Sequence, residues 1–424
     1  MDTAADSAAD RRRDEGELPR AFGRYLLVDR LSKGGMGEIF LARHGLSGFE
    51  KLVVIKKVLP DLAADSEFIR RFIDEAQVAV VLQHANIAQV FEVGRVGQEY
   101  FLAMEYIEGR DLRRTLDALH TTGERMPIDA SLYVAREVAT GLSYAHRRTN
   151  PSGEPLELVH CDISPPNIVM SFEGETKVID FGIASSALRG GYRGQSQGFG
   201  KYGYLAPEQI IKGRTLDHRA DLYALGVVLF EMLTGRRLYK AQGRRPDYQE
   251  LARLVSRGEH PIPSQIDPSL AAYDDLVLRA LKPEPDDRYQ SAAEFRDALQ
   301  HALVRMNPTY SQDDLGTYLE GVFADEAARQ RRVRDELEQT DIRAWARELT
   351  SSSPSTVSFA LASLPEWVAE AESGNLDEGL TAPVTAPAPP ERLPGRGRVA
   401  LLGGIVGAAL AVLAVVLWSA FAGG

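Results

Sequence analysis

The sequence predicts an α+β chain of two lobes, a small antiparallel-sheet lobe with one helix and then a large helical lobe, followed by a C-terminal transmembrane helix. Three observations predict this. Short alternating or apolar runs crowd into residues 22–107, and a single helical period interrupts them. From Asp111 onward the apolar spacing is helical. Val399–Ala422 is 24 residues without a charge; as a helix it would reach roughly 36 Å, against about 30 Å of hydrocarbon.

Met1 to Arg20 is charged and lacks an apolar stretch, so residues 1–21 are expected to be a disordered N-terminus and not a signal peptide. Strand-like runs follow at Tyr25–Leu31, Ile39–Ala42, Leu52–Val58, Ala88–Val93 and Tyr100–Glu105. The helix between them is expected at about Ser66–Leu82, with Ser66 as its N-cap. Ile128, Leu132, Ala135, Val138, Leu142 and Ala145 recur at helical spacing and predict one buried face. Leu222–Leu233 is apolar on nearly every side and stops at Gly235, which places that helix in the middle of a lobe. Asp313–Leu349 is helical in pattern but densely charged, and is expected as a solvated extension within residues 304–350. Residues 351–398 are rich in Ser, Ala and Pro and read as a flexible tether.

Arg392, Arg396 and Arg398 precede the apolar segment at 399–422, so the folded part is expected on the cytoplasmic side. Only Gly423 and Gly424 follow, and no external sensor domain is expected. Gly403 and Gly407 form a small-xxx-small pair through which a homodimer would form. A net charge of −11 argues against nucleic acid as a partner. The single cysteine, Cys161, excludes an internal disulfide and a Cys-based zinc site.

Several segments carry chemistry. Leu31-Ser32-Lys33-Gly34-Gly35-Met36-Gly37-Glu38-Ile39-Phe40 lies between two strand-like runs, where glycines let the backbone approach phosphate oxygens without a Cβ clash. Lys56 ends Val53-Val54-Ile55-Lys56, and Lys57 should point to the opposite face of that strand. Glu75 on the first helix lies 19 residues beyond Lys56. Met104-Glu105-Tyr106-Ile107-Glu108-Gly109 joins the lobes. His160-Cys161-Asp162-Ile163-Ser164-Pro165-Pro166-Asn167 precedes Asp180-Phe181-Gly182. Asp, Asn and Asp at that spacing suit phosphoryl transfer, with one carboxylate to take a hydroxyl proton and an amide and a second carboxylate to hold metal. Ala206-Pro207-Glu208, Asp221 and Arg288 complete the set.

Together these segments resemble the eukaryotic-like (Hanks-type) Ser/Thr protein kinases, as in membrane-attached bacterial members, over about residues 22–303 (lobes 22–107 and 108–303). The resemblance implies an enzyme that moves the γ-phosphate of Mg-ATP to Ser or Thr hydroxyls of proteins, itself included, at the inner membrane. It implies that Leu31, Ser32, Lys33, Gly34, Gly35, Met36, Gly37 and Ile39 cradle ATP. Lys56 would meet the phosphates with Glu75 as its partner, and the backbone of Met104, Glu105 and Ile107 would face adenine. Asp162 would take the substrate proton, while Asn167 and Asp180 would bind Mg2+, or Mn2+ in its place. Glu208 would pair with Arg288, and Asp221 would anchor the backbone around Asp162. The Ala206-Pro207-Glu208 element argues against a small-molecule phosphotransferase.

Four residues depart from the family pattern. Ser32 replaces the first glycine, Cys161 an Arg, Ser164 a Lys and Lys201 a Thr. With Cys161 in place of that Arg, a phosphorylated loop has no positive charge to neutralise. Ser164 and Lys201 read as a reciprocal exchange in which Lys201 delivers the missing ammonium and counts among the catalytic residues. The alternative is a membrane-tethered pseudokinase scaffold that binds nucleotide without efficient transfer.

Overall fold

The computed structural model describes residues 18–34, 37–45, 51–150, 152–181, 202–211, 213–239 and 248–339, with residues 345, 349 and 356–358 beyond them. Contacts divide the chain into two compact units, Met1–Glu366 and Trp367–Gly424, and the described residues all fall in the first. The segment expected to cross a membrane lies outside them. Among the described residues no helix is long and apolar enough to do so.

Strands β1 (Arg20–Phe22), β2 (Tyr25–Lys33), β3 (Gly37–His44) and β4 (Lys51–Val58) run antiparallel in sequence order. After helix α1 (Ser66–Val81) come β5 (Val90–Val96) and β6 (Glu99–Glu105). The sheet order is β1-β2-β3-β4-β6-β5. Side chains alternate across a strand, so Tyr25, Leu27, Phe40, Ala42, Val53, Ile55, Phe101 and Ala103 form a core on one face. Phe22 meets Phe101 edge-on at 5.4 Å between ring centroids. Helix α1 begins one residue earlier than its expected cap would place it. Asp65, not Ser66, is the N-cap, and its carboxylate accepts from the amides of Glu67 and Phe68. A carboxylate at that end also suits the helix dipole. Ile69, Phe72, Ile73, Ala76 and Ala79 form the buried stripe of α1.

The second lobe opens with strand β7 (Gly109–Asp111) and helices α2 (Leu112–Thr122) and α3 (Ile128–His146). Strands β8 (Ile168–Ser171) and β9 (Thr176–Val178) join β7 in a small sheet in the order β7-β8-β9. Gly109 is required there, because a Cβ would stand 2.0 Å from the Met170 carbonyl oxygen on β8. Helices α4 (Arg219–Thr234), α5 (Tyr248–Arg257), α6 (Asp274–Ala280) and α7 (Ala292–Met306) complete the lobe. On α3 the expected face is buried, with Ile128 partly so. Helix α4 is buried from Ala220 to Thr234, as its uniform apolarity predicts, and Gly235 ends it in the left-handed region at φ +65°.

Of two further helices, α8 (Gln312–Val322) packs against the lobe on one face, while α9 (Ala324–Gln339) is largely exposed, as its charge predicts, with Ala327 alone buried among its described side chains. Leu315, Leu319, Phe323 and Ala327 enter the core of the second lobe. A last strand, β10 (Thr356–Ser358), lies in the Ser-, Ala- and Pro-rich stretch and pairs antiparallel with β5.

Candidate active site

β2 and β3 bracket the Gly-rich segment. Leu31, Ser32 and Lys33 end β2, and the Gly34 amide donates to the Gly37 carbonyl at 2.9 Å. Gly35 and Met36 lie outside the described residues. Gly37 packs on β4 so closely that a Cβ would meet the Lys57 carbonyl oxygen at 2.1 Å. Ile39 pairs with Ser32 on one side and Lys56 on the other. Lys33 is held by Glu38 at 3.2 Å.

Strand alternation sends Lys56 and Lys57 to opposite faces, as the sequence predicts. Lys57 bonds Glu99 at 2.5 Å and lies over the rings of Phe22 and Phe40. Lys56 reaches the other way, and its Nζ donates to both carboxylate oxygens of Asp180 at 2.9 Å. Glu75 lies on α1, but its side chain is outside the described residues, as is Lys201.

Asp162 and Asn167 form a closed unit. Asn167 Nδ2 donates to the Asp162 carbonyl and to its Oδ2, both at 2.8 Å. With the nitrogen so committed, the amide oxygen of Asn167 is left as a donor toward metal. The Ile179 amide donates to the Asn167 carbonyl at 3.0 Å, which ties the residue before Asp180 to this loop. Ser164, 1% exposed, donates through Oγ to the Asp162 carbonyl at 3.2 Å. Asp180 and Cys161 hold φ at +58° and +64°, a left-handed conformation costing L-residues about 1–2 kcal/mol. Such strain is characteristic of sites where geometry is over-determined.

A second layer supports that geometry. Buried Asp221 accepts from the amides of His160 and Cys161, both at 2.8 Å, and from His146 Nε2 at 2.9 Å. Burial would raise its pKa, yet the hydrogen bond and charge of His146 and the contacts of His160 hold it below the usual carboxylate value. Gln209 Nε2 donates to the Cys161 carbonyl at 3.0 Å, while its Oε1 accepts from the Ala206 amide at 2.9 Å. Glu208 and Arg288 make two parallel bonds of 2.7 Å with side chains 1% and 0% exposed. Sequence reasoning missed one cluster. Arg113 donates to Glu231 at 2.7 Å and to Tyr204 Oη at 2.8 Å, and Tyr204 donates to Glu231. Its signal was Glu231 itself, a carboxylate within an otherwise apolar helix.

At the lobe junction Met104 lines a cavity of about 20 Å3 with Phe72, Ala76 and Ala79 of α1, Leu102 and Phe181. The Glu105 side chain is engaged away from the cleft, accepting from the Gln89 amide at 3.1 Å and pairing with Lys177 at 2.9 Å. The Glu105 amide donates to the Gln89 carbonyl at 2.8 Å, so the Glu105 carbonyl is the group that could face a ligand. Ile107 is half-buried beside it. Among the described residues no cluster of three or more His, Cys, Asp or Glu could hold a metal alone. Asn167 and Asp180 are oxygen donors of the kind Mg2+ takes when phosphates complete its shell, so the residues present fit that ion.

The protein kinase domain pattern matches residues 25–304. The chain belongs to the protein kinase family. It is 40% identical over 311 residues to the tyrosine-protein kinase MasK of Myxococcus xanthus, covering 73% of this chain and 47% of that protein. It is 32% identical to the serine/threonine-protein kinase PrkC of Bacillus subtilis over 67% of this chain and 41% of PrkC. The chain thus spans about half the length of the curated relatives it matches. Among solved structures, the PknI kinase domain of Mycobacterium tuberculosis superposes with a TM-score of 0.51 at 30% identity, covering 68% of this chain and 99% of that one. Protein kinases as a family use ATP and Mg2+, consistent with the donors gathered at Lys56, Asn167 and Asp180 in this kinase fold.

Proposed function

We propose that this chain is an ATP-dependent protein kinase that phosphorylates Ser or Thr hydroxyls of proteins, its own included. The observation that carries the reading is the convergence of two pairs, Lys56 with Asp180 and Asn167 with Asp162, tied together where the Ile179 amide donates to the Asn167 carbonyl. In this reading Lys56 binds the α and β phosphates. Asp162, oriented by the Asn167 amide, aligns the substrate hydroxyl and takes its proton. Asn167 and Asp180 hold Mg2+, which when bound neutralises charge on the transferred group. The backbone of Glu105 and Ile107 faces adenine, and Gly34 and Gly37 let the β2–β3 turn approach the phosphates.

The test is transfer from γ-labelled ATP by the full chain, beside Asp162→Asn and Lys56→Met. Transfer that both substitutions abolish is expected. Nucleotide binding without transfer above the Asp162→Asn level would establish the pseudokinase alternative instead. A second reading, with Tyr as acceptor, is favoured by the name of MasK, the 40% identical relative. Phosphoamino-acid analysis of the product separates the two. We also propose that residues 399–422 anchor the kinase in the inner membrane, on the strength of their uncharged run and the arginines before it.

A further inference from the structure

The elements beyond the kinase-domain match, α8, α9 and β10, do not stand clear of it. They touch three places around the nucleotide cleft. The first is the turn between β8 and β9, which joins the strand leaving Asn167 to the strand entering Asp180. Gly174 in that turn holds φ +81°, and a Cβ on it would stand 1.8 Å from the Gln312 carbonyl oxygen. A Cβ on Gly316 would stand 2.8 Å from the Phe172 carbonyl oxygen. Two glycines thus let α8 seat directly on the turn, and Gln312 Nε2 donates to the Glu173 carbonyl at 3.0 Å.

The second place is the connection between lobes. Arg334 of α9 donates to Glu108 Oε2 at 2.9 Å, and the Glu108 carbonyl accepts from the Phe172 amide at 2.9 Å. Arg110 Nε donates to Glu326 of α9 at 2.7 Å, and its buried guanidinium lies over the rings of Phe172 and Phe323. The third is the first lobe itself, where β10 adds to the sheet edge with Val357 opposite Arg95. The second lobe, the connection and the first lobe are thus each contacted by α8, α9 or β10.

We propose that α8, α9 and β10 act as a strap that positions the interlobe connection for nucleotide, with Arg334 and Glu326 as positioning residues acting through Glu108 and Arg110. The inference rests on the kinase reading above. Glu108 directly follows Ile107, whose backbone that reading sets against adenine. A strap fixed to both lobes removes open arrangements from the free ensemble, so less ordering is left for ATP to impose.

The experiment uses the full chain and reads binding of a fluorescent ATP analogue beside steady-state kinetics. Arg334→Ala should weaken nucleotide binding about threefold, the scale of a half-exposed ion pair, and raise KM for ATP while kcat stays within about twofold. Arg334→Glu should weaken it further, and adding Glu108→Arg should restore it, because the pair is remade with its charges exchanged. Val357→Pro should weaken binding as well, because proline in the middle residue of so short a strand disrupts the β10–β5 pairing. Unchanged affinity in Arg334→Glu, or no recovery in the exchanged pair, overturns the proposal. So does a lowered unfolding midpoint with affinity unchanged. Should Arg334→Glu not fold, Arg334→Gln carries the same comparison without charge repulsion. Wild-type chain that binds no nucleotide at all would instead remove the kinase reading, and the strap's role with it.

Discussion

Arg288 shows what a buried charge needs. Its guanidinium donates to both oxygens of Glu208 and to the carbonyls of Lys282, Pro283 and Arg219, and it lies over the Tyr223 ring. Every N–H has an acceptor, so the desolvation of both ions is offset by geometry. Arg288→Met alone strands the Glu208 charge and should cost about 3–5 kcal/mol in urea unfolding. Pairing it with Glu208→Leu should recover most of that loss; strictly additive losses would contradict the account. Asp221 makes a pH prediction. Its folded pKa is depressed, so its stabilisation is complete above the unfolded carboxylate value of about 3.9 and is lost as pH falls through the lower folded value. Asp221→Asn should therefore be less stable than wild type by about 3 kcal/mol at neutral pH, and the gap should narrow only below about pH 4. A gap that already closes near pH 6 would assign the effect to another group.

Among the elements, α8 carries the sharpest comparison. Gly174 and Gly153 both sit at positive φ, +81° and +85°, but only Gly174 faces another backbone, whereas Gly153 has nothing within 4 Å. Gly153→Ala should cost about 1 kcal/mol for the left-handed conformation alone. Gly174→Ala adds a clash with Gln312 and should cost roughly twice that or more, with α8 displaced from the β8–β9 turn. Equal losses in thermal unfolding would mean that α8 does not pack there. Helix α1 makes a smaller point about legibility. Ser66 and Asp65 are both good caps, and the sequence reading takes Ser66; the Asp65 carboxylate that reaches the amides of Glu67 and Phe68 decides otherwise. The buried face of α3 and the wholly buried α4 were legible because their apolar periods are dense. The stripe Leu315, Leu319, Phe323 and Ala327 also has helical spacing, but it is sparse and masked by the surrounding charges.

At the scale of the whole molecule, the proposed anchor makes its own prediction. Truncation after Gly395 should move the chain from the membrane to the soluble fraction with kinase activity retained. Full-length chain recovered in the soluble fraction without detergent would contradict the anchor. Most of the candidate site was legible without coordinates. The spacing of Asp162, Asn167 and Asp180 and the alternation of Lys56 and Lys57 are written in short segments, because phosphoryl-transfer chemistry constrains which donors sit how far apart along a loop, whereas the Glu208–Arg288 pair, 80 residues apart, and the anchoring role of Asp221 were legible only through the family resemblance. The sequence by itself therefore determined the two-lobed kinase fold and the residues at its cleft. The tertiary structure alone decided where the charged helices beyond residue 304 go, that Arg113 and Tyr204 join Glu231, and that β10 returns to the first lobe. Arg334 and Glu108 lie 226 residues apart, and a pair so distant leaves no period or motif. Its existence depends on where the packed lobes bring distant parts of the chain.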